Sequence, residues 1–265
     1  MAPRTLTLYH YDYSICSLMV RYTYALRGEP KDEASDIILT ERHVDLFRSE
    51  QLTEDFLRNI NPKGQVPVLV GDGLDNPLAD SLEITHYLAT LYPNLIPGSQ
   101  KAEITKLLGD LHALNFFSLS YAGRHVVTQG FEAAIRSRMD GNISPQYQTA
   151  LEYKLKVTQS EKTAGLATNV VESMVERAKA LMHTFTNLLQ PATEDQANGA
   201  TAAPWLFGLS RPTALDAHLV TFIGRMLDVN RKDLIPNRLM KYAEDAWAGS
   251  EWQRVMQGRP THLGG

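Results

Sequence analysis

A single cysteine among 265 residues leaves no partner for a disulfide and no thiol cluster for zinc. So thiol-poor a chain fits a reducing, cytoplasmic setting. Long hydrophobic runs are lacking too. None approaches the roughly 18 residues of a membrane span. The start, Met-Ala-Pro-Arg-Thr-Leu-Thr-Leu-Tyr, has no apolar signal-peptide stretch and reads directly as a first strand. No charge of one sign dominates. The 26 Lys+Arg stand against 30 Asp+Glu, a net charge of −4, which gives no reason to expect nucleic acid. The 8 histidines show neither HxxxH nor HxH spacing, so no metal site is expected. There is no Walker A or Rossmann glycine pattern, no G-x-S-x-G elbow and no internal repeat. What is present is apolar content of 43%, enough for a sizeable core in one large or two modest domains.

The two halves differ. Residues 1–97 carry 8 basic and 14 acidic side chains; the remainder carries 18 and 16. Thr5-Leu6-Thr7-Leu8-Tyr9 alternates and reads as a strand. A helix follows over Ser17 to Arg27, stopped by Gly28 and Pro30. Ala34 to Leu39 reads as a second strand, and Thr53 to Ile60 as a short helix closed by Asn61-Pro62. Gln65 to Val70 reads as a β-branched strand, with a short strand near Pro77 to Ala79 and a helix over Ser81 to Leu91. Residues 92–98, with Pro93, Pro97 and Gly98, form the natural linker. Domains are therefore expected at 1–92 and 99–265. Beyond the linker strand alternation stops. Helices are predicted over Ala102 to Val127, Val170 to Leu189, Asp216 to Leu227 and Arg238 to Met256. Residues 128–168 show no placeable helix. Residues 191–203 read as a mobile loop.

Five constellations carry chemistry, each with a plainer reading beside it. Pro67 sits inside a strand-like run, where it lacks a ladder donor. Either Val66-Pro67 is cis, leaving the Val66 backbone free to pair with an extended peptide, or an edge strand begins at Val68. Ser14, between the first strand and the first helix, either caps that helix or faces an anionic ligand at its positive end. Cys16 is either a thiol made reactive by the helix N-terminus or a small apolar filler. Asp80-Ser81 opens a helix. Both residues can cap it, and the carboxylate can also hold a ligand's ammonium group. Thr213-Ala214-Leu215-Asp216 has capping-box spacing and reads as structural.

In this order the stretches resemble the glutathione S-transferase family. They are Tyr13-Ser14-Ile15-Cys16-Ser17-Leu18-Met19-Val20-Arg21 with Ala25-Leu26-Arg27-Gly28, Asn61-Pro62-Lys63-Gly64-Gln65-Val66-Pro67, Ala79-Asp80-Ser81-Leu82-Glu83-Ile84 with Tyr87-Leu88, and Pro212-Thr213-Ala214-Leu215-Asp216-Ala217. Ser14-Ile15-Cys16 is similar to the Ser-x-Cys signature of the zeta class, the maleylacetoacetate isomerase-like branch. The resemblance implies a thioredoxin-like N-terminal domain, an all-helical C-terminal domain and a homodimer. It makes Pro67 a cis-proline, pairs the Val66 backbone with the cysteinyl part of glutathione, and gives Asp80 and Ser81 the γ-glutamyl end. Gln51 lies near the glycyl end. Ser14 would donate to the glutathione sulfur, with Cys16 beside it and Tyr9 as a rival hydroxyl.

The expected function is a glutathione-dependent enzyme, transferase or isomerase, acting on a hydrophobic electrophile. The alternative is a non-catalytic binding or scaffold protein of the same fold. Leu18-Met19-Val20-Arg21 stands where the zeta class has Trp-Arg-Val-Arg, so one cation is gone and a more apolar second-substrate pocket is expected. Tyr11, Tyr13, Phe117, Tyr121 and Arg124 are its candidate walls. The long 125–168 region suggests a pocket for a biosynthetic substrate, as in fungal secondary-metabolism relatives.

Overall fold

The computed structural model describes residues 4–189 and 205–263. Strand β1 (Arg4–His10) buries Leu6, Leu8 and His10 and leaves Thr5, Thr7 and Tyr9 less covered, so alternate residues face the core. It pairs in parallel with β2 (Ile37–His43) and antiparallel with β3 (Val68–Gly71), giving the order β2-β1-β3. Leu8 lies opposite both Glu41 and Leu69. The short strand expected near Pro77 is reduced to one bridge between Leu69 and Leu78, since Pro77 offers no ladder donor. Strand β2 starts later than the alternation suggests. Asp32 caps a 3₁₀ turn, Glu33–Ser35, by accepting from Ser35 N at 2.9 Å, and this turn takes up the first residues.

Helices α1 (Ile15–Ala25) and α2 (Ser81–Leu91) pack on the sheet. The short helix expected over Thr53 to Ile60 forms over residues 54–60 and ends as a π turn, Phe56–Ile60, closed by Asn61 N on Phe56 O at 2.8 Å. Among the described residues no strand follows α2. Two 3₁₀ turns, Pro93–Leu95 and Gly98–Gln100, lead into helices α3 (Lys101–His112), α4 (Phe116–Ser120), α5 (His125–Met139), α6 (Pro145–Thr158), α7 (Thr168–Leu188), α8 (Ala214–Asp228), α9 (Asn237–Trp247) and α10 (Ser250–Met256). The fold is thus a thioredoxin-like small sheet with helices, followed by a mostly helical region.

The single helix expected over Ala102 to Val127 is three. Asn115 accepts from Ser118 N at 3.0 Å and starts α4, and Gly123 turns the chain before α5 at a φ of 73°. Residues 128–168, unreadable from pattern, hold most of α5, all of α6, a π turn (Gln159–Thr163) and a 3₁₀ turn (Ala164–Leu166). The stretch from Arg238 to Met256 breaks at Ala248-Gly249 into α9 and α10. The loop read at 191–203 lies outside the described residues.

One core runs through both parts, from Leu6 and Leu8 through Leu18, Met19, Ile84 and Leu88 to Leu111, Leu215 and Phe222. Thr213 and Asp216 form the capping box of α8. The fully buried Asp216 carboxylate accepts from Thr213 N (2.7 Å), Thr213 Oγ1 (2.6 Å), Leu206 N (3.0 Å) and Tyr242 Oη (2.5 Å). Burial pushes its pKa up while these donors pull it back.

Candidate functional site

Two helix N-termini and one cis-proline loop converge on the same place. Ser14 is the N-cap of α1; its Oγ accepts from Ser17 N at 3.3 Å and donates to Val66 O at 3.5 Å. Val66-Pro67 is cis, and β3 begins at Val68, so both readings of that proline hold at once. The Val66 N–H has no backbone partner among the described residues. Asp80 is the N-cap of α2. Its Oδ1 accepts from Leu82 N at 2.8 Å and Glu83 N at 3.0 Å, which leaves Oδ2 without a partner among the described residues. Ser81, buried in the first turn of α2, lies beside the Cys16 thiol of α1, so the two helix starts meet. Each helix end carries a partial positive charge. A free strand-like N–H, two helix N-termini and a hydroxyl at one place can hold an extended, anionic ligand.

Cys16 is half-buried in the chain's own surface. Burial pushes its thiol pKa up, more than the Ser81 hydroxyl and the Arg225 and Lys162 charges pull it down. It is therefore protonated at neutral pH. Tyr9, the rival hydroxyl, is engaged elsewhere: Arg42 Nη1 donates to it at 3.1 Å and the guanidinium lies 5.0 Å from its ring centre. Gln51 sits in a 3₁₀ turn, Glu50–Leu52, against the loop that holds Gly64. Its Oε1 is buried without a partner, an open acceptor near the cis-proline loop.

The candidate walls fall into two groups. Tyr11 and Tyr13 meet edge to face at 5.6 Å. Phe117 and Tyr121 stack at 4.6 Å, with Arg124 5.7 Å from the Tyr121 ring centre. The groups are near each other: Tyr121 is among the neighbours that, after burial and Asp45, push the Tyr11 phenol up to about 12. Behind Tyr121 a cavity of about 220 Å³ is lined by Ser120, Arg124, Arg231 and His262. Arg21, the cation retained in the first motif, is not available to a substrate. Its guanidinium spans Glu41 (2.7 and 2.9 Å) and Asp12 (3.2 Å).

Three cations of the helical region border this site and escape sequence reasoning. Arg225 of α8 donates to Tyr13 O at 2.7 Å and Thr261 O at 2.5 Å. Lys154 of α6 is buried and donates to Lys63 O at 2.7 Å and Gly64 O at 3.1 Å, just before the cis-proline. Lys162, in the π turn after α6, lies 5.3 Å from the Phe117 ring centre and 4.9 Å from that of Phe131. Arg225 and the two lysines had no motif, and the lysines stand in the stretch whose helices were not legible.

Residues 13–91 match the family model for the glutathione S-transferase N-terminal domain. A sequence search of curated proteins finds no match. Solved structures share the whole fold. The beta-etherase LigF from Sphingobium sp. superposes with a TM-score of 0.64 at 16% identity, covering 95% of this chain and 98% of its own. A glutathione transferase homologue from Sulfitobacter with bound glutathione gives 0.57 at 17% identity, with 96% and 97% covered. A maleyl pyruvate isomerase, a bacterial zeta-class glutathione S-transferase, gives 0.53 at 17% identity, with 96% and 99% covered. At such identities the likeness is one of fold.

Proposed function

We propose that the protein is a glutathione-dependent enzyme in which Ser14 activates the glutathione thiolate toward a hydrophobic electrophilic small molecule. The observation that carries this reading is the convergence of Ser14, cis Val66-Pro67 and Asp80-Ser81 at two helix N-termini. Neighbours of the same fold include a structure with bound glutathione and a zeta-class isomerase. The Ser14-Ile15-Cys16 signature adds the zeta-like reading.

The Val66 backbone would pair with the cysteinyl unit, Asp80 Oδ2 and the Ser81 region would take the γ-glutamyl ammonium and carboxylate, and Gln51 would lie toward the glycyl end. A free thiol near pKa 8.5 is only a few per cent ionised at pH 7. One hydroxyl hydrogen bond and a helix end lower that pKa by about 1–2 units, roughly 1.4–2.7 kcal/mol in favour of the thiolate. The thiolate lone pair then forms a C–S bond. In a transfer the leaving group departs with its electron pair, or a proton adds to the neighbouring carbon. In an isomerisation the bond between the former alkene carbons rotates and the thiolate is expelled unchanged. Cys16, protonated at rest, stands beside the sulfur as a secondary participant.

The reading extends to domains at 1–92 and 99–265, a cytoplasmic homodimer, and a secondary-metabolism substrate fitted to the α5–α6 region and to Tyr11, Tyr13, Phe117, Tyr121 and Arg124. Sedimentation would show the dimer. The deciding test is a glutathione titration, followed by calorimetry and thiolate ultraviolet absorbance, on wild type and Ser14→Ala. Binding with a thiolate signal lost in the variant supports the proposal. No binding at millimolar glutathione refutes it and favours a non-catalytic binding role. Glutathione consumption separates transferase, which uses it stoichiometrically, from isomerase, which uses none.

A further inference from the structure

Lys162 stands over a pair of aromatic rings. It belongs to the π turn Gln159–Thr163, between α6 and α7, and its ammonium lies over two rings, Phe117 and Phe131, whose centres are 6.2 Å apart. Its sequence neighbour Glu161 is the main charge that acts on it, but the two form no ion pair. That carboxylate is turned to Lys63 Nζ at 3.6 Å and Gln65 Nε2 at 2.7 Å. Among the described residues Lys162 makes no ion pair and no hydrogen bond, and its side chain is half-buried. Phe131 is 38% exposed, so part of the aromatic wall is open to a ligand. The cleft also borders the reaction centre proposed above. Lys162 lies close enough to the Cys16 thiol for its charge to act there, and Cys16 is two residues from Ser14. Cation–π contact compensates only part of a desolvated ammonium. An anion placed in the cleft would supply the rest, while the rings supply apolar contact for the body of the same molecule.

We infer that Lys162, standing over Phe117 and Phe131, selects an electrophile that carries an aromatic ring together with a carboxylate or similar anionic group. This rests on the glutathione-dependent reading of the neighbouring site and names the charge of its second substrate. Loss of one cation from the Leu18-Met19-Val20-Arg21 segment then does not make the cleft neutral, because Lys162 approaches from the helical region. Burial pushes the Lys162 pKa down, Glu161 pulls it part of the way back, and a bound anion would raise it further.

The test uses a matched pair, a chloronitrobenzoate and its methyl ester, which share ring and leaving group and differ in charge. Wild type, Lys162→Met and Lys162→Arg are compared with saturating glutathione. The expected result is that wild type favours the acid. The acid-to-ester ratio of kcat/KM should fall about tenfold in Lys162→Met, the loss of one charge-assisted contact, through KM rather than kcat. Lys162→Arg should restore most of the ratio. A ratio unchanged in Lys162→Met overturns the inference, as does an equal loss on acid and ester, which would make Lys162 only a packing residue. A second arm needs no turnover. Binding of nitrobenzoate, which has no leaving group, is measured by calorimetry on the same folded variants. If glutathione does not bind at all, the enzyme reading fails by itself. The charge inference then stands or falls on whether nitrobenzoate binding weakens about tenfold in Lys162→Met.

Discussion

Ser14→Ala separates two roles that one hydroxyl holds. The Oγ accepts from Ser17 N at 3.3 Å as the cap of α1 and donates to Val66 O at 3.5 Å. Losing a serine N-cap to alanine costs about 1 kcal/mol. In a chain of this length that lowers Tm by about 2–4 °C. The proposed hydroxyl contact and the helix end together favour the thiolate by roughly 1.4–2.7 kcal/mol, or a ten- to hundredfold change in its population. The donation to Val66 O is long, so glutathione sulfur can draw that hydroxyl away at little cost. Ser14→Gly sharpens the comparison. Glycine as N-cap loses only a few tenths of a kcal/mol, yet it has no hydroxyl. The assay is thiolate absorbance against pH with saturating glutathione, beside a thermal melt. Both variants should raise the bound thiol pKa by the hydroxyl's share of those about 1–2 units, while only Ser14→Ala lowers Tm noticeably. Ser14→Thr should recover the thiolate. A glutathione pKa in Ser14→Ala equal to that of wild type would refute the reasoning, whatever the melt shows.

Three further outcomes follow from buried polar groups. Asp216→Ala orphans three residues' donors in the α8 cap and should cost about 3–5 kcal/mol, read as a large fall in Tm, with Tyr242→Phe costing about 1–2 kcal/mol by the same assay. His112 and the fully buried His218 are held neutral by burial, His112 at about 4 and His218 well below its ordinary value. The unfolded chain therefore binds more protons below pH 6.5, so stability is complete above about 6.5 and falls as pH drops toward 4. Melts between these values should show it, and a flat Tm would contradict it. Lys154 is pushed down to about 7 by burial. The unfolded chain keeps that proton to about 10.5, so wild-type stability should rise from pH 7 toward 10.5, a slope that Lys154→Met removes. The same variant should speed amide exchange in residues 61–67, because it frees Lys63 O and Gly64 O.

Local chemistry was legible; relations between distant segments were not. The strand at β1, the helix at α2, the capping box at Thr213 and Asp216 and the proline at 67 each declare themselves within a few residues. The extra breaks in the helical region do not. Asn115 ends an apolar periodicity that continues on paper into the next helix, because a capping side chain outbids the pattern locally. Residues 128–168 are mostly helical, in a polar sequence. Only a few residues of α5 and α6, such as Ile135, Tyr147 and Leu151, are buried, so the stripe is too thin to read. Lys154 and Lys162 hide there as two lysines among many. Nothing in a sequence marks a lysine that will meet carbonyls about 90 residues away.

Those distant contacts explain why the site is not a property of the sheet half alone. Each of its three segments is held by a buried polar side chain from the helical region. Arg225 grips Tyr13 O, next to Ser14. Lys154 grips Lys63 O and Gly64 O, just before Val66. The third grip is a relay. Thr85 Oγ1 donates to Ser81 O at 2.8 Å, so its remaining contact, with His218 Nε2 at 2.9 Å, must be one in which the imidazole donates. His218 Nδ1 is then an acceptor, and His112 Nε2 donates to it at 2.8 Å. The tautomers are fixed from Ser81 outward, and both nitrogens of His218 are engaged. Burial makes each grip costly to break, since a lost partner leaves an unsatisfied carbonyl or hydroxyl in the core. The sheet half supplies the groups that would touch glutathione, and the helical half supplies their positions together with the surface a second substrate would meet. A change in α6 or α8 far from any ligand should therefore alter binding at the cis-proline loop or at Ser14 through Lys154 or Arg225, without touching a residue of either motif.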